Sequence, residues 1–273
     1  MTGTREIAVP PTSLFAAVTA VSLSGTVSYR LLSTILSNIE PSTLRHLRFN
    51  NLQTFSEPLK HLRRQVVIAH RCARPGPAYG YLRKWTGRCS TLQSFHYLST
   101  ALVSANVPRV APSLRSKLVA DENNRYAEVA SFIGSVRPTL RELLFEHGPD
   151  NNYFTMFVMT LPNNNSRTDP LPMDVFFNTH VFPVLTSAWP RLRSMVVRGI
   201  GHWISVDPWK AEATPEDHNW LHSKTAEFRR SAIALHEAVP EGCKVVVEDE
   251  ASRPFYRLQD DSKIAWRGDL NGD

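Results

Sequence analysis

The chain has 273 residues, of which 42% are hydrophobic and 21% charged, the composition of a soluble globular protein. No apolar run approaches the ~20 residues that a membrane-spanning helix needs, and the spacing of Cys72, Cys89 and Cys243 suits neither a disulfide framework nor a zinc site. We therefore expect a protein of a reducing compartment, cytoplasmic or nuclear, without a metal or other cofactor.

The net charge of +6 is unevenly distributed along the chain. Residues 1–137 hold 17 Lys and Arg against 6 Asp and Glu, whereas residues 138–273 hold 14 against 19. A basic half can attract nucleic acid or acidic protein surfaces. Because these basic residues are spread out rather than clustered, solvated helix faces are the favoured interpretation, and nucleic-acid binding is the alternative.

The first apolar segment runs from Leu14 to Leu23. Its length and the preceding Arg5 would suit the apolar core of a weak signal peptide. However, Val18, Val21 and Leu23 follow the spacing apolar, two variable, apolar, one variable, apolar, which is typical of a short half-buried strand. We expect a strand at this position.

A helix and a second strand are predicted next, and the strand spacing then recurs. Apolar residues at three- and four-residue steps indicate a helix over residues 27–36, which Pro41 terminates. The first members of the next four copies lie 48, 48 and 52 residues apart, which indicates a repeat architecture. The copies are Leu44/Leu47/Phe49, Leu92/Phe95/Tyr97, Leu140/Leu143/Phe145 and Leu192/Met195/Val197, with a looser one at Val245 and Val247.

Helical periodicity precedes the later strands as well. The predicted helices run from Tyr126 to Val136, from Val175 to Ser187 and from Thr225 to Ala238. One strand and one helix bury too little apolar surface to fold alone, so neighbouring units must stack. The predicted fold is therefore α/β, a leucine-rich-repeat-like solenoid of five to six strand–helix units with a parallel sheet on one face. It forms a single domain over residues 1–257, followed by an acidic, disordered tail over residues 258–273.

Residues between the inward apolar positions of the strands are predicted to form the solvent side of the sheet, because alternate strand residues face opposite sides. Their charges change sign from unit to unit. Such an array either keeps the sheet soluble or serves as a recognition surface, the usual contact area of stacked repeats. The predicted partner-binding residues on this face are Arg48, His96, Glu142, Glu146, Arg198 and Glu248.

A polar loop over residues 199–223 adds His202, Trp203 and Trp209 to the predicted partner-binding set. Large amphipathic rings often form binding hot spots, although tryptophans here could equally cover the end of a repeat stack. His218 and His222 have the four-residue spacing of metal ligands on a helix but lack the glutamate of a His-Glu-x-x-His site. An enzyme with its site in this loop is the alternative to a binding protein.

Three strings, RPTLRELLFE at 137–146, AWPRLRS at 188–194 and KVVVEDEASRPFY at 244–256, resemble the leucine-rich-repeat-like region of F-box-like proteins of filamentous fungi. The resemblance extends from Val18 to Tyr256 and implies a non-catalytic platform that binds another protein for substrate recognition or as an adaptor. No Leu-Pro-x-Glu-type F-box cluster precedes Leu14, so docking to a Skp1-type adaptor is not expected.

Overall fold

A computed structural model describes residues 15, 17–55, 80–100, 112–148, 172–199, 226–227 and 229–248. Within them, the chain is an α/β protein built on a six-stranded, all-parallel sheet in which the strands lie in sequence order. Every strand expected from the repeated spacing is present, including the first, where a signal-peptide core was the alternative. The strands are β1 (Ala20–Ser28), β2 (His46–Phe55), β3 (Ser94–Thr100), β4 (Glu142–Gly148), β5 (Ser194–Arg198) and β6 (Lys244–Glu248).

The strands pair so that equivalent positions of the repeated spacing lie side by side. Leu47 pairs with Phe95, Phe95 with Leu143, and Leu143 with Met195, and the row continues to Val21 at one end and Val245 at the other. All these side chains are buried. The prediction that this side of the sheet faces inward is therefore confirmed.

Helices occupy the chain between the strands. They are α1 (Tyr29–Ser37), α2 (Tyr81–Trp85), α3 (Pro112–Val136), α4 (Pro172–Phe176), a π-helical turn (Phe177–Val181), α5 (Phe182–Leu185) and α6 (residues 229–237), with a 3-10 turn at Pro41–Thr43. As predicted, the first helix, α1, ends before Pro41. None of the helices in the described ranges has the length and apolar character that crossing a bilayer would need.

The core lies between the inward side of the sheet and the helices. The rings of Phe95 and Phe132 meet edge to face at a centroid distance of 5.0 Å, which joins β3 to α3. Phe145 of β4 lies 5.6 Å from Phe177 of the π-helical turn. Interdigitated aromatic and aliphatic side chains of this kind supply most of the stabilisation of a domain, at ~25 cal/mol per Å² of apolar surface buried.

Helix α3 begins well before the predicted start at Tyr126. The apolar face that predicted it, which includes Val129, Phe132 and Val136, is buried as expected. The preceding turns instead bury charged side chains, Glu122 and Arg125. Because apolar periodicity does not mark a helix face that is buried through an ion pair, the sequence pattern predicted only the second half of the helix.

The helix predicted from Val175 to Ser187 starts at Pro172 and is interrupted by the π-helical turn. Pro183 lies just beyond that turn and has no backbone N–H to donate to the preceding turn of helix. A wider turn before the proline accommodates the missing hydrogen bond. Thr186 N–H then bonds to the Phe182 carbonyl at 2.9 Å, which restores α-helical geometry.

Helix α2 was not predicted, because it has only five residues. Its amino-terminal end is capped from a distance by Glu128 of α3, whose side chain is buried. The Glu128 carboxylate accepts hydrogen bonds from the backbone N–H groups of Gly80, at 2.6 Å, and Arg83, at 3.0 Å. Burial raises the pKa of this carboxyl group, while the two backbone hydrogen bonds lower it. A buried carboxylate therefore fixes α2 against α3.

Candidate functional site

The outward side of the sheet consists of three rows of side chains that run across the strands. The row nearest the amino-terminal ends of the strands contains His46, Ser94, Glu142, Ser194 and Lys244. The middle row contains Arg48, His96, Leu144, Val196 and Val246. The row nearest the carboxyl ends contains Asn50, Leu98, Glu146, Arg198 and Glu248.

Exposure decreases along the strands from the first row to the third. In the first row His46, Glu142 and Lys244 are exposed, and in the middle row Arg48 and His96 are half-buried. In the third row Glu146 is only 5% exposed and Arg198 only 7%. Solvent exposure was therefore correctly predicted for His46, Glu142 and Lys244 in the first row. The prediction of solvent exposure was wrong for five outward residues that are buried, Ser94, Leu144, Glu146, Arg198 and Val246.

The predicted ladder of alternating charges is divided between two rows. Arg48 and His96 pair with each other in the middle row, which continues with apolar residues. Glu146, Arg198 and Glu248 pair in the third row, so that Arg198 lies between two glutamates in the register. The ladder was predicted as one array because strand parity alone cannot assign residues of different strands to one row.

The pair formed by Glu146 and Arg198 is a buried salt bridge between β4 and β5. The Arg198 Nη1 donates to Glu146 Oε2 at 3.1 Å. Both charges are removed from water, which costs free energy. Loss of either partner would leave the other charge buried and uncompensated. These two predicted partner-binding residues therefore hold neighbouring strands together, and their side chains have little exposed surface to offer a partner.

A second buried polar cluster lies on the helix side of β3 and β4, where sequence analysis identified no candidate residues. The guanidinium of Arg125 donates to the carboxylate of Glu122, one helical turn earlier, and to the hydroxyl of Ser99 in β3. Burial by itself lowers the pKa of Arg125, but the negative charges around it, chiefly that of Glu122, raise this pKa above its ordinary value. The only sequence signal was the three-residue spacing of opposite charges, which is far more often found on exposed helix faces.

Tyr126 and His147 complete this cluster. The Tyr126 hydroxyl lies 2.7 Å from Nδ1 of His147, and both side chains are buried. Burial, together with the nearby Arg125 guanidinium, lowers the pKa of His147 to about 3, and burial raises the pKa of Tyr126 well above its ordinary value. At neutral pH both groups stay uncharged, so this pair acts as a buried hydrogen bond between α3 and β4.

Gly199 directly follows β5 and has a φ of +85°. A Cβ atom built at this position would lie 1.8 Å from the backbone oxygen of His147. Only glycine therefore allows the close approach of the chain after β5 to the end of β4. The loop over residues 199–223 begins at this point.

Several predictions concern residues outside the described ranges. They include the three predicted partner-binding residues of the loop, the histidines that suggested an enzyme, and the tail over residues 258–273. In the described part of the chain, no three His, Cys, Asp or Glu residues are grouped as metal ligands. The undescribed residues in question are His202, Trp203, Trp209, His218 and His222.

The connections that enter the strands present exposed arginines at equivalent positions. Arg45, Arg141 and Arg193 each lie one residue before a strand, and all three side chains are exposed. The N–H of Gln93 bonds to the carbonyl of Arg45, that of Arg141 to Gln93, and that of Arg193 to Arg141, each at 2.8 Å. Each of these arginines directly follows the first apolar member of the repeated spacing, Leu44, Leu140 or Leu192. The pairing of the strands places these residues along one edge of the sheet.

Comparison of the chain with family models, with curated proteins and with solved structures found no match.

Proposed function

We propose that the chain is a non-catalytic protein-binding platform, a leucine-rich-repeat-like solenoid of the F-box-like kind that serves substrate recognition or acts as an adaptor. The observation that carries this proposal is the sequential, in-register parallel sheet. Strands that follow one another in space as they do in sequence, with a helix before each of β2 to β6, are expected of stacked repeats.

The contact surface that this proposal favours is the amino-terminal end of the outward face, which we call the open rows. They comprise the exposed residues His46, Glu142 and Lys244 and the half-buried Arg48 and His96. Adjacent strands of a sheet are about 4.8 Å apart, so these side chains stand at fixed intervals. A rigid array loses little conformational entropy on binding, which favours specific recognition of a protein surface.

Charge reversal within the open rows tests the proposal. In the double variant Arg48→Glu and Glu142→Lys, both changed side chains remain at accessible positions. We expect proteins captured by the wild-type chain from a cell extract, measured by quantitative mass spectrometry, to fall about tenfold, the effect of losing hot-spot contacts. The free energy of unfolding, measured by thermal denaturation, should stay within about 0.5 kcal/mol of the wild-type value, as for other surface substitutions.

The matched control is Arg229→Glu with Glu237→Lys on α6, which makes the same two charge reversals at exposed helix positions. It should capture the same proteins as the wild-type chain. Equal capture by the wild type and by the open-row variant would exclude the open rows as the contact surface. Equal loss in both variants would show that capture depends on general charge rather than on this face.

An enzyme and a nucleic-acid-binding protein are the two alternatives to a protein-binding platform. An enzyme with its site in residues 199–223 depends on residues outside the described ranges. Nucleic-acid binding through the basic first half predicts retention on a polyanion column that falls steeply with salt.

A further inference from the structure

In the described ranges, five connections lead from a helix into a strand, and all of them meet at the amino-terminal edge of the parallel sheet. They are residues 38–45, 86–93, 137–141, 186–193 and 238–243. Backbone hydrogen bonds bind successive connections to each other, as between Gln93 and Arg45 and between Arg193 and Arg141. Side chains that are dozens of residues apart in sequence therefore form one continuous surface.

This surface is strongly basic. The five connections contain six arginines and two glutamates. One of the glutamates, Glu40, forms an ion pair with Arg88 of the next connection, with 3.9 Å between Glu40 Oε1 and Arg88 Nη2. These two charges therefore offset each other within the surface. We call Arg45, Arg141 and Arg193, the three arginines directly before strands, the basic edge.

The three guanidinium groups of the basic edge have no ion-pair partner among the residues that the structure describes. No ion pair or side-chain hydrogen bond joins any of its three guanidinium groups to another described residue. Arg141 and Arg193 lie next to each other in the backbone ladder, and like charges at directly adjacent positions repel. An anionic ligand would relieve this repulsion, and a guanidinium can bind a carboxylate through two parallel hydrogen bonds.

Building on the proposed binding function, we propose that the basic edge binds an extended segment of the partner rich in Asp and Glu. Acidic side chains also lie at this edge, because Glu142 follows Arg141 directly and Glu241 precedes β6. They would repel the continuous charge of a phosphate backbone, whereas separated carboxylates of a peptide can bind the arginines individually. Proteins that bind single-stranded nucleic acid also stack bases on aromatic side chains, and no Phe, Tyr or Trp side chain is exposed among those that the structure describes.

The test uses the full chain and a fluorescein-labelled ten-residue peptide of alternating Glu and Ser, with binding measured by fluorescence anisotropy. The edge variant is Arg45→Gln, Arg141→Gln and Arg193→Gln. The control variant removes the same charge from exposed helix positions through Arg30→Gln, Arg229→Gln and Arg230→Gln. Loss of three exposed ion pairs should raise the dissociation constant of the edge variant by about tenfold, while the control variant should change by less than about twofold.

Two further ligands define the recognised chemistry. A peptide with Gln in place of Glu should bind at least about tenfold more weakly than the acidic peptide, and higher ionic strength should weaken binding of the acidic peptide. Equal binding of the Gln peptide, or equal losses in the edge and control variants, would overturn the inference. So would tighter binding of a labelled single-stranded oligonucleotide that the edge variant abolishes, because the ligand would then be a polyphosphate.

The capture experiment with the open rows separates this inference from the proposed function. The edge variant leaves Arg48 and Glu142 unchanged, and the open-row variant leaves all three edge arginines in place. Failure of the acidic peptide to bind, with capture still dependent on the open rows, would reject the basic edge and retain the binding platform. Peptide binding through the edge, with capture unaffected by the open-row variant, would support the edge and reject the outward face.

Discussion

Gly199 and His147 show how closely single residues are fitted where the strands end. Gly199 has a positive φ that L side chains rarely adopt, and its α-carbon faces the carbonyl of His147. His147 is buried and uncharged beside Tyr126. At this scale the sequence offered only a lone glycine and a lone histidine, neither of which signals a close contact by itself.

Replacing Gly199 by Ala should destabilise the protein strongly, because the new Cβ meets backbone rather than a movable side chain. We expect a loss of more than about 3 kcal/mol in the free energy of unfolding, from strain in φ and the clash together. Gly242 is the matched control, because its φ is +79° but a Cβ there would meet nothing within 4 Å. Gly242→Ala should cost only about 1–2 kcal/mol in urea unfolding. Similar losses in the two variants would mean that the contact with His147 is unimportant.

At the scale of secondary-structure elements, buried charges connect neighbours that apolar contacts alone would leave less defined. Glu128 of α3 caps α2 through two backbone N–H groups. Arg125 of the same helix donates to Ser99 and so binds α3 to β3. Glu146 and Arg198 join β4 to β5 on the opposite side of the sheet. Hydrogen bonds to charged groups of this kind fix the relative position of elements because their geometry is directional.

The salt bridge between Glu146 and Arg198 predicts non-additive effects of mutation. Arg198→Met leaves the carboxylate of Glu146 buried without its guanidinium partner, which should cost about 3–5 kcal/mol in the free energy of unfolding. The double variant Arg198→Met with Glu146→Leu should recover at least about 1 kcal/mol of that loss, because the buried Glu146 carboxylate is removed together with the guanidinium that it pairs with. Chemical denaturation of the wild type, both single variants and the double variant measures the coupling. Additive losses would mean that the two side chains act independently.

For the molecule as a whole, the sheet order makes each strand depend on its two neighbours. Central strands such as β4 pair on both sides, whereas among the described strands β1 pairs only with β2. Each strand contributes a residue to a common row of inward side chains, so the core is continuous from Val21 to Val245. Truncation of a side chain at the centre of the row should therefore lower the free energy of unfolding more than truncation at its end.

Two leucine truncations test this difference along the sheet. Leu143→Ala, in the centre and 1% exposed, should lower the free energy of unfolding by about 2–5 kcal/mol, the range for a fully buried leucine. Leu23→Ala, at the half-buried end in β1, should cost less than about 2 kcal/mol, because less apolar surface is lost. Both values come from urea unfolding curves. A larger loss at Leu23 would contradict a core that is centred on β4.

Much of the fold was predictable because strand spacing and helix periodicity are properties of short segments. The apolar members of the repeated spacing, such as Leu47, Phe95 and Leu143, are buried in aligned rows. The candidate site was predicted less well. Parity correctly placed Arg48 and Glu142 on the outward side, but it could not show that Glu146 and Arg198 are buried, because burial also depends on what lies over that side.

The sequence by itself determined where strands form, which of their residues face inward, and that successive units resemble one another, since each follows from local periodicity and composition. Only the tertiary structure decided which residues of different strands share a row. It also decided that one charged pair is buried and that Arg45, Arg141 and Arg193 lie along one edge. The physical reason is that strand pairing brings together residues about 50 positions apart, and no local pattern in the chain specifies which side chains then become neighbours.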